Sequence, residues 1–147
     1  MTQVASPIVV ASPLRRLGAF VIDVLILTAI GLPVLIAFGD QDASKPDAAF
    51  LVIAMIVPAS YHIFFLCTMS ATLGKLALHL YVSDRQGQRI RPDTAILRYL
   101  TYMVGQLIFI GMVASAVLVL VDPRRRAIHD RVAGTLVVVG RPPGVEL

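Results

Sequence analysis

The stretch LRRLGAFVIDVLILTAIGLPVLIAF, residues 14–38, decides the fold. Two arginines open it, and an apolar run from Leu17 to Phe38 follows, interrupted by one acid, Asp23. A run of this length matches the roughly 20 residues that cross a bilayer as an α-helix. Two further runs lie at about Ala48–Cys67 and Tyr99–Val121. In hydrocarbon every backbone N–H must find an acceptor within its own segment, so isolated runs of this kind are helices.

Composition agrees. The 147 residues are 57% hydrophobic and 15% charged, where a soluble domain carries about 25% charged residues. Mean hydropathy is +0.82. The net charge of +4 therefore sets topology or meets anionic lipid, and no nucleic-acid partner is expected. The single cysteine, Cys67, allows no internal disulfide and reads as a packing thiol. The chain has no phosphate loop, no H-E-x-x-H and no nucleophile elbow, and its histidines lack ligand spacing. No enzyme activity, metal or cofactor is expected.

The expected fold is an all-α membrane protein. It has two full transmembrane helices, a third apolar segment that is either a single span or a re-entrant, broken one, and short cytoplasmic interfacial helices. Residues 1–13 read as a flexible tail, 14–140 as the membrane domain, and 141–147 as a C-terminal tail. Arg15 and Arg16 before the first span, and Lys75, Arg85, Arg89, Arg91 and Arg98 after the second, place both flanks in the cytoplasm. The intervening loop 39–47, with Asp40, Asp42 and Asp47 against Lys45, falls outside. A single third crossing would export Arg124, Arg125, Arg126, Arg131 and Arg141. Charge count therefore favours a break in YMVGQLIFIGM (102–112), at Gly105, Gln106 or Gly111, with the tail returning.

Between the spans, SATLGKLALHLYV (70–82) reads as a short interfacial helix. Leu73, Leu76, Ala77 and Leu80 share one face, and Lys75 and His79 another. YVSDRQGQRI (81–90) reads as a hairpin around Asp84–Gly87. Asp122-Pro123 reads as the start of a helix that runs to Ala133 and stops at Gly134. TLVVV (135–139) has strand character and LYVS (80–83) is its candidate partner.

Asp23 heads the candidate site, because a charge at a span centre costs roughly 2.5–3.5 kcal/mol. Arg16, seven residues earlier, lies on the same helix face. Asp23 is then either one half of a structural Arg16–Asp23 pair or a cation- or proton-binding carboxylate. His62, in PASYHIFF (58–65), lies at a matching depth in the second span. It is either a proton relay to Asp23 or a hydrogen-bonded packing histidine. In the tail, Arg126 and Asp130 are spaced i,i+4 for an ion pair. Alternatively Asp130 docks onto Lys75 or Arg16 and closes the cytoplasmic side. Arg124 and Arg125 suit lipid head groups.

LRRLGAFVIDVLIL, SATLGKLALHLYV, the arginine of AILRYL (95–100) and DPRRRAIHDRVAGTLVVV (122–139), in this order, resemble the RDD family of small bacterial integral membrane proteins. The resemblance covers about residues 13–140. By position the family's arginine falls on Arg16 or Arg15, its first aspartate on Asp23, and its second on Asp130 or Asp122. Where many relatives have GQTLGK this chain has SATLGK, without that glycine and glutamine. The resemblance implies a bacterial inner-membrane location. It also implies one of two roles, since transport, including sodium–proton exchange, has been proposed within the family, and other members carry the domain as a membrane module.

On the first reading the chain is a cation/proton-coupled transporter, or a subunit of one. Asp23 binds Na+ or H+ and His62 tunes it. Three apolar runs are few for alternating access, so a homo-oligomer or a membrane-protein partner is implied. On the second it is a non-transporting adaptor or assembly factor. Its Arg/Asp pair is then structural, and its SATLGK and IHDRVAGT faces bind another protein. The Asp23 helix face is otherwise apolar (Ala19, Phe20, Leu27, Ile30), which leans towards the second.

Overall fold

The computed structural model describes residues 8–38 and 48–144. The acidic loop 39–47, the first seven residues and the last three lie outside the described residues. The elements are α1 (Pro13–Phe38), α2 (Ala48–Met69), α3 (Leu73–Ala77), β1 (Leu80–Ser83), α4 (Pro92–Leu107), α5 (Phe109–Val121), α6 (Ile128–Val132) and β2 (Leu136–Val139). Helices α1 and α2 are long and apolar enough to cross a membrane. They carry exposed Leu25, Ile36, Met55 and Phe64 along their lengths. Lipid can solvate such a surface, and water cannot do so cheaply.

The third run is broken. α4 and α5 meet at 118°, and Ile108 between them is extended, with φ −106° and ψ 105°. Gly105 and Gly111 make the bend close: a Cβ on Gly111 would lie 2.8 Å from the Gly105 carbonyl oxygen. The chain therefore doubles back, and the tail packs at the same end of the molecule as α3 and β1. That is the arrangement the arginine count favours.

At this end β1 and β2 pair antiparallel, with Leu80 opposite Val139 and Ser83 opposite Leu136. The hairpin after β1 forms as expected. Asp84 Oδ1 accepts the amides of Gln86 (2.9 Å) and Gln88 (2.8 Å), and Gly87 takes φ +81°. The small apolar core sits here, built from Ala11, Ala19, Leu66, Leu80, Val82 and Val137 among others.

Three expectations need correction. Residues 8–12 are not a loose tail. Val10 bridges Val138, the Ala11 amide donates to the Val137 carbonyl (2.9 Å), and the Val139 amide donates to the Val9 carbonyl (2.8 Å). This covers the free edge of β2, which would otherwise leave its backbone groups unpaired. Second, α3 ends at Ala77, and His79 adopts φ +53°. Leu80 is thus a fully buried strand residue and not part of the helix face. Third, no helix starts at Asp122-Pro123. The Arg125 amide donates to the Asp122 carbonyl (2.7 Å) in a turn, and Arg125 at φ +51° cannot continue a right-handed helix. Only α6 forms, and the chain leaves it at Gly134, as expected, with φ +67°.

Candidate functional site

α3 seats directly on α1, against Ala19 and Asp23, which are four residues apart and share a face. Gly74 makes this possible. A Cβ there would lie 2.2 Å from the Ala19 carbonyl oxygen and 2.8 Å from Asp23 Cγ. The close approach delivers the Gly74 amide to Asp23 Oδ1 at 2.8 Å. The Thr72 hydroxyl donates to Oδ2 at 2.6 Å, and the Tyr61 hydroxyl donates to Oδ1 at 2.7 Å. Tyr61 in turn accepts the Leu73 amide (3.1 Å). Asp23 is 3% exposed, and it is solvated by neutral donors.

The expected Arg16–Asp23 pair does not form, because Arg16 is engaged elsewhere. Its Nη1 donates to Asp130 Oδ2 at 2.9 Å. His62 does not hydrogen-bond Asp23 either. Its Nδ1–H donates to the Pro58 carbonyl at 2.9 Å, which fixes the tautomer, since a carbonyl only accepts. Tyr61, one residue or about 100° around the helix, holds the position the sequence assigned to His62.

Asp130 is fully buried and is the hub of the second cluster. It accepts from Arg98 and Arg16 and from the Ala127 amide at 3.1 Å. Arg98 also donates to the Thr135 hydroxyl at 2.7 Å. Burial alone would raise the Asp130 pKa, but the Arg98 and Arg16 guanidiniums outweigh it and hold it well below the usual carboxylate range. Of the alternatives left open at each position, Arg16 is half-buried and pairs with Asp130, Arg15 is exposed, and Asp122 and Asp130 are both buried.

Arg126 does not pair with Asp130. It donates from its backbone amide (2.9 Å) and its Nε (3.0 Å) to Asp122 Oδ2, and Arg131 donates to Oδ1 at 2.9 Å. These bonds, Arg126 foremost, hold the Asp122 pKa at about 2. The turn at Arg125 brings Arg126 back over Asp122, away from the position a continuous helix would give it. Lys75 does not meet Asp130 either: its Nζ donates to the Thr72 hydroxyl at 3.1 Å. Arg124 and Arg125 are exposed.

From sequence, Arg98 counts as a topology-setting cation and as the arginine of AILRYL, without a site role. Yet it is buried inside α4, one residue before the apolar run, and a lone arginine in that position is the signal that it needs a buried counter-charge. Tyr61, Thr72 and Gly74 carry no such signal, since neutral polar and small residues occur in any helix bundle.

Above these two clusters lies a cavity of about 420 Å³. Arg16, Asp23, His62, Lys75, Arg98 and His129 line its polar end, and residues of α1 and α5 line its apolar wall. A ladder of rings crosses it. His62 stacks on Tyr102 (centroids 5.9 Å), and Tyr102 meets His129 edge-on (5.6 Å). His129 Nε2 lies 3.8 Å from Asp130 Oδ1, but burial, then Arg98, push its pKa down to about 3. The ring is therefore neutral near pH 7.

This predicts a slope in stability. The unfolded chain takes up a proton at His129 near the ordinary value of about 6.5, whereas the folded chain does not until about pH 3. Stability from this group is complete above pH 6.5 and falls with pH below it. The unfolding midpoint in detergent should drop between pH 7 and 5, and His129→Asn should flatten that slope. Asp122 and Asp130 add to the loss only below about pH 4.

No curated protein and no solved structure matches the chain. One family model does, across residues 10–134, a span that runs from the β-bridge at Val10 to the end of α6 and contains Arg16, Asp23, Arg98 and Asp130. The chain belongs to the RDD family.

Proposed function

We propose that this protein is a non-transporting, non-catalytic membrane module whose buried charges are structural. One observation carries this reading: the Asp23 carboxylate is already taken by three donors, Tyr61, Thr72 and Gly74. The positive ends of these dipoles surround the oxygens that a cation would need. Binding Na+ would require displacing these charge-assisted bonds. By the arginine distribution, the end that carries α3, the sheet and α6 faces the cytoplasm of a bacterial inner membrane.

SATLGK turns largely inward, and IHDRVAGT turns Asp130 and Thr135 inward while Arg131 and Val132 stay exposed. Ser70, Ala71, Thr72, Asp130 and Thr135 are all buried. The buried residues of both motifs join the protein to itself, and the exposed Arg131 and Val132 leave an outer face of the second motif open to a membrane-protein partner or second copy.

The rival, a cation/proton-coupled transporter, draws on the cavity that reaches both Asp23 and His62. Liposome reconstitution separates the two readings. With a sodium or lithium gradient and an internal pH dye, the wild type and Asp23→Asn should both match empty vesicles. Asp23→Asn should also lower the unfolding midpoint. Cation-dependent proton flux in the wild type, abolished by Asp23→Asn, would overturn this reading.

A further inference from the structure

The cavity has a polar end with unused donors and an apolar wall that runs out to lipid. At the polar end Lys75 has only the neutral Thr72 hydroxyl as acceptor, with no carboxylate within ion-pair distance among the described residues. Arg16 Nε is buried without an acceptor. The cations Arg16, Lys75 and Arg98 outnumber the nearby carboxylates Asp23 and Asp130 by three to two. Each carboxylate already accepts three hydrogen bonds. What remains to be satisfied is therefore donor capacity and positive charge.

The other wall is formed by Leu17 and Phe20 of α1 and Val119 and Leu120 of α5. Leu17 is 57% exposed and Leu120 71% exposed. The cavity is thus continuous with the surface that the bilayer covers. Free phosphate would satisfy the polar end and leave this wall unfilled. A ligand that matches both ends has an anionic oxygen head and a hydrocarbon chain leaving sideways.

We propose that the cavity binds an anionic phospholipid, with the phosphate accepting from Lys75 and an acyl chain lying between α1 and α5. Burial, then the neighbouring Arg98, push the Lys75 pKa down to about 8. A phosphate beside it would favour the charged ammonium and offset that burial. Nothing in this proposal depends on whether the module transports ions.

The test uses the full chain in a neutral maltoside detergent. The probes are dioctanoyl phosphatidylglycerol, dioctanoyl phosphatidylcholine and inorganic phosphate, and the readouts are native mass spectrometry and the unfolding midpoint. Phosphatidylglycerol should give a one-to-one adduct and raise the midpoint, and the other two should do neither. Lys75→Gln should weaken that binding roughly tenfold or more, the loss of one charge-assisted bond. Ala116→Phe, which fills the cavity from α5, should weaken it as well, while the exposed-site control Arg124→Gln should not. Unchanged affinity in folded Ala116→Phe or Lys75→Gln would overturn the proposal. So would equal binding of phosphatidylcholine, or a midpoint shift reproduced by phosphate alone. Flux in the liposome experiment would leave each of these outcomes unchanged.

Discussion

Asp130→Asn should cost about 3–5 kcal/mol of folding stability, the usual penalty for removing one partner from a buried ion cluster. The amide keeps the shape of the carboxylate but leaves the Arg16 and Arg98 guanidiniums packed together without a counter-charge. It also has one acceptor oxygen where three donors arrived, from Arg16, Arg98 and the Ala127 amide. Total stability is typically about 5–15 kcal/mol, so a large share of it is at stake. Denaturant or thermal unfolding in detergent measures the loss. Asp122→Asn is the comparison and should have a smaller effect, because its partner Arg131 is 45% exposed and water replaces the lost contact. Adding Arg16→Met to Asp130→Asn should recover part of the loss, since one uncompensated charge is gone. Strict additivity of the two single losses would refute the coupling.

Gly74→Ala should be the next most damaging change despite adding a single methyl group. Its Cβ would lie 2.2 Å from the backbone oxygen of Ala19, and a backbone atom cannot rotate out of the way. Overpacking of this kind costs roughly 1–3 kcal/mol. If α3 lifts off α1 to relieve it, the Gly74 amide loses Asp23, a charge-assisted bond worth roughly 1.5–3 kcal/mol. Gly31→Ala, where a Cβ meets nothing within 4 Å, should be neutral or mildly stabilising, as alanine suits a helix interior. Equal midpoints for the two variants would show that the α1–α3 contact is looser than described.

The gross architecture was legible because it follows from lengths and counts. Runs of about twenty apolar residues give spans, and five arginines in the tail favour a third run that turns back over one that crosses. Strand pairing between LYVS and TLVVV followed from their β-branched character. Asp23 and Asp130 announced themselves as acids that needed an explanation. Their partners did not, because pairing depends on three-dimensional register. Tyr61 and His62 are adjacent in sequence, and only the helix phase decides which one meets Asp23. The local i,i+4 rule suggested Arg126 for Asp130, yet the true partners lie 32 and 114 residues away. The left-handed turn at Arg125 defeats the local rule, and nothing in its own side chain signals that conformation.

The distance between Arg16 and Asp130 has a consequence for biosynthesis. Arg16 is made 114 residues before its counter-charge. Val10 likewise waits for Val138 before the sheet edge is covered. α1 can enter the bilayer early, but the turn that carries Arg16 remains unlocked until residue 130 has been made. A chain interrupted between residues 98 and 130 carries two unneutralised guanidiniums, Arg16 and Arg98, and an open strand edge. Synthesis of residues 130–139 and closure of this end of the fold are in effect the same event, so a chain cut short of them exposes charge and a strand edge that the folded one buries.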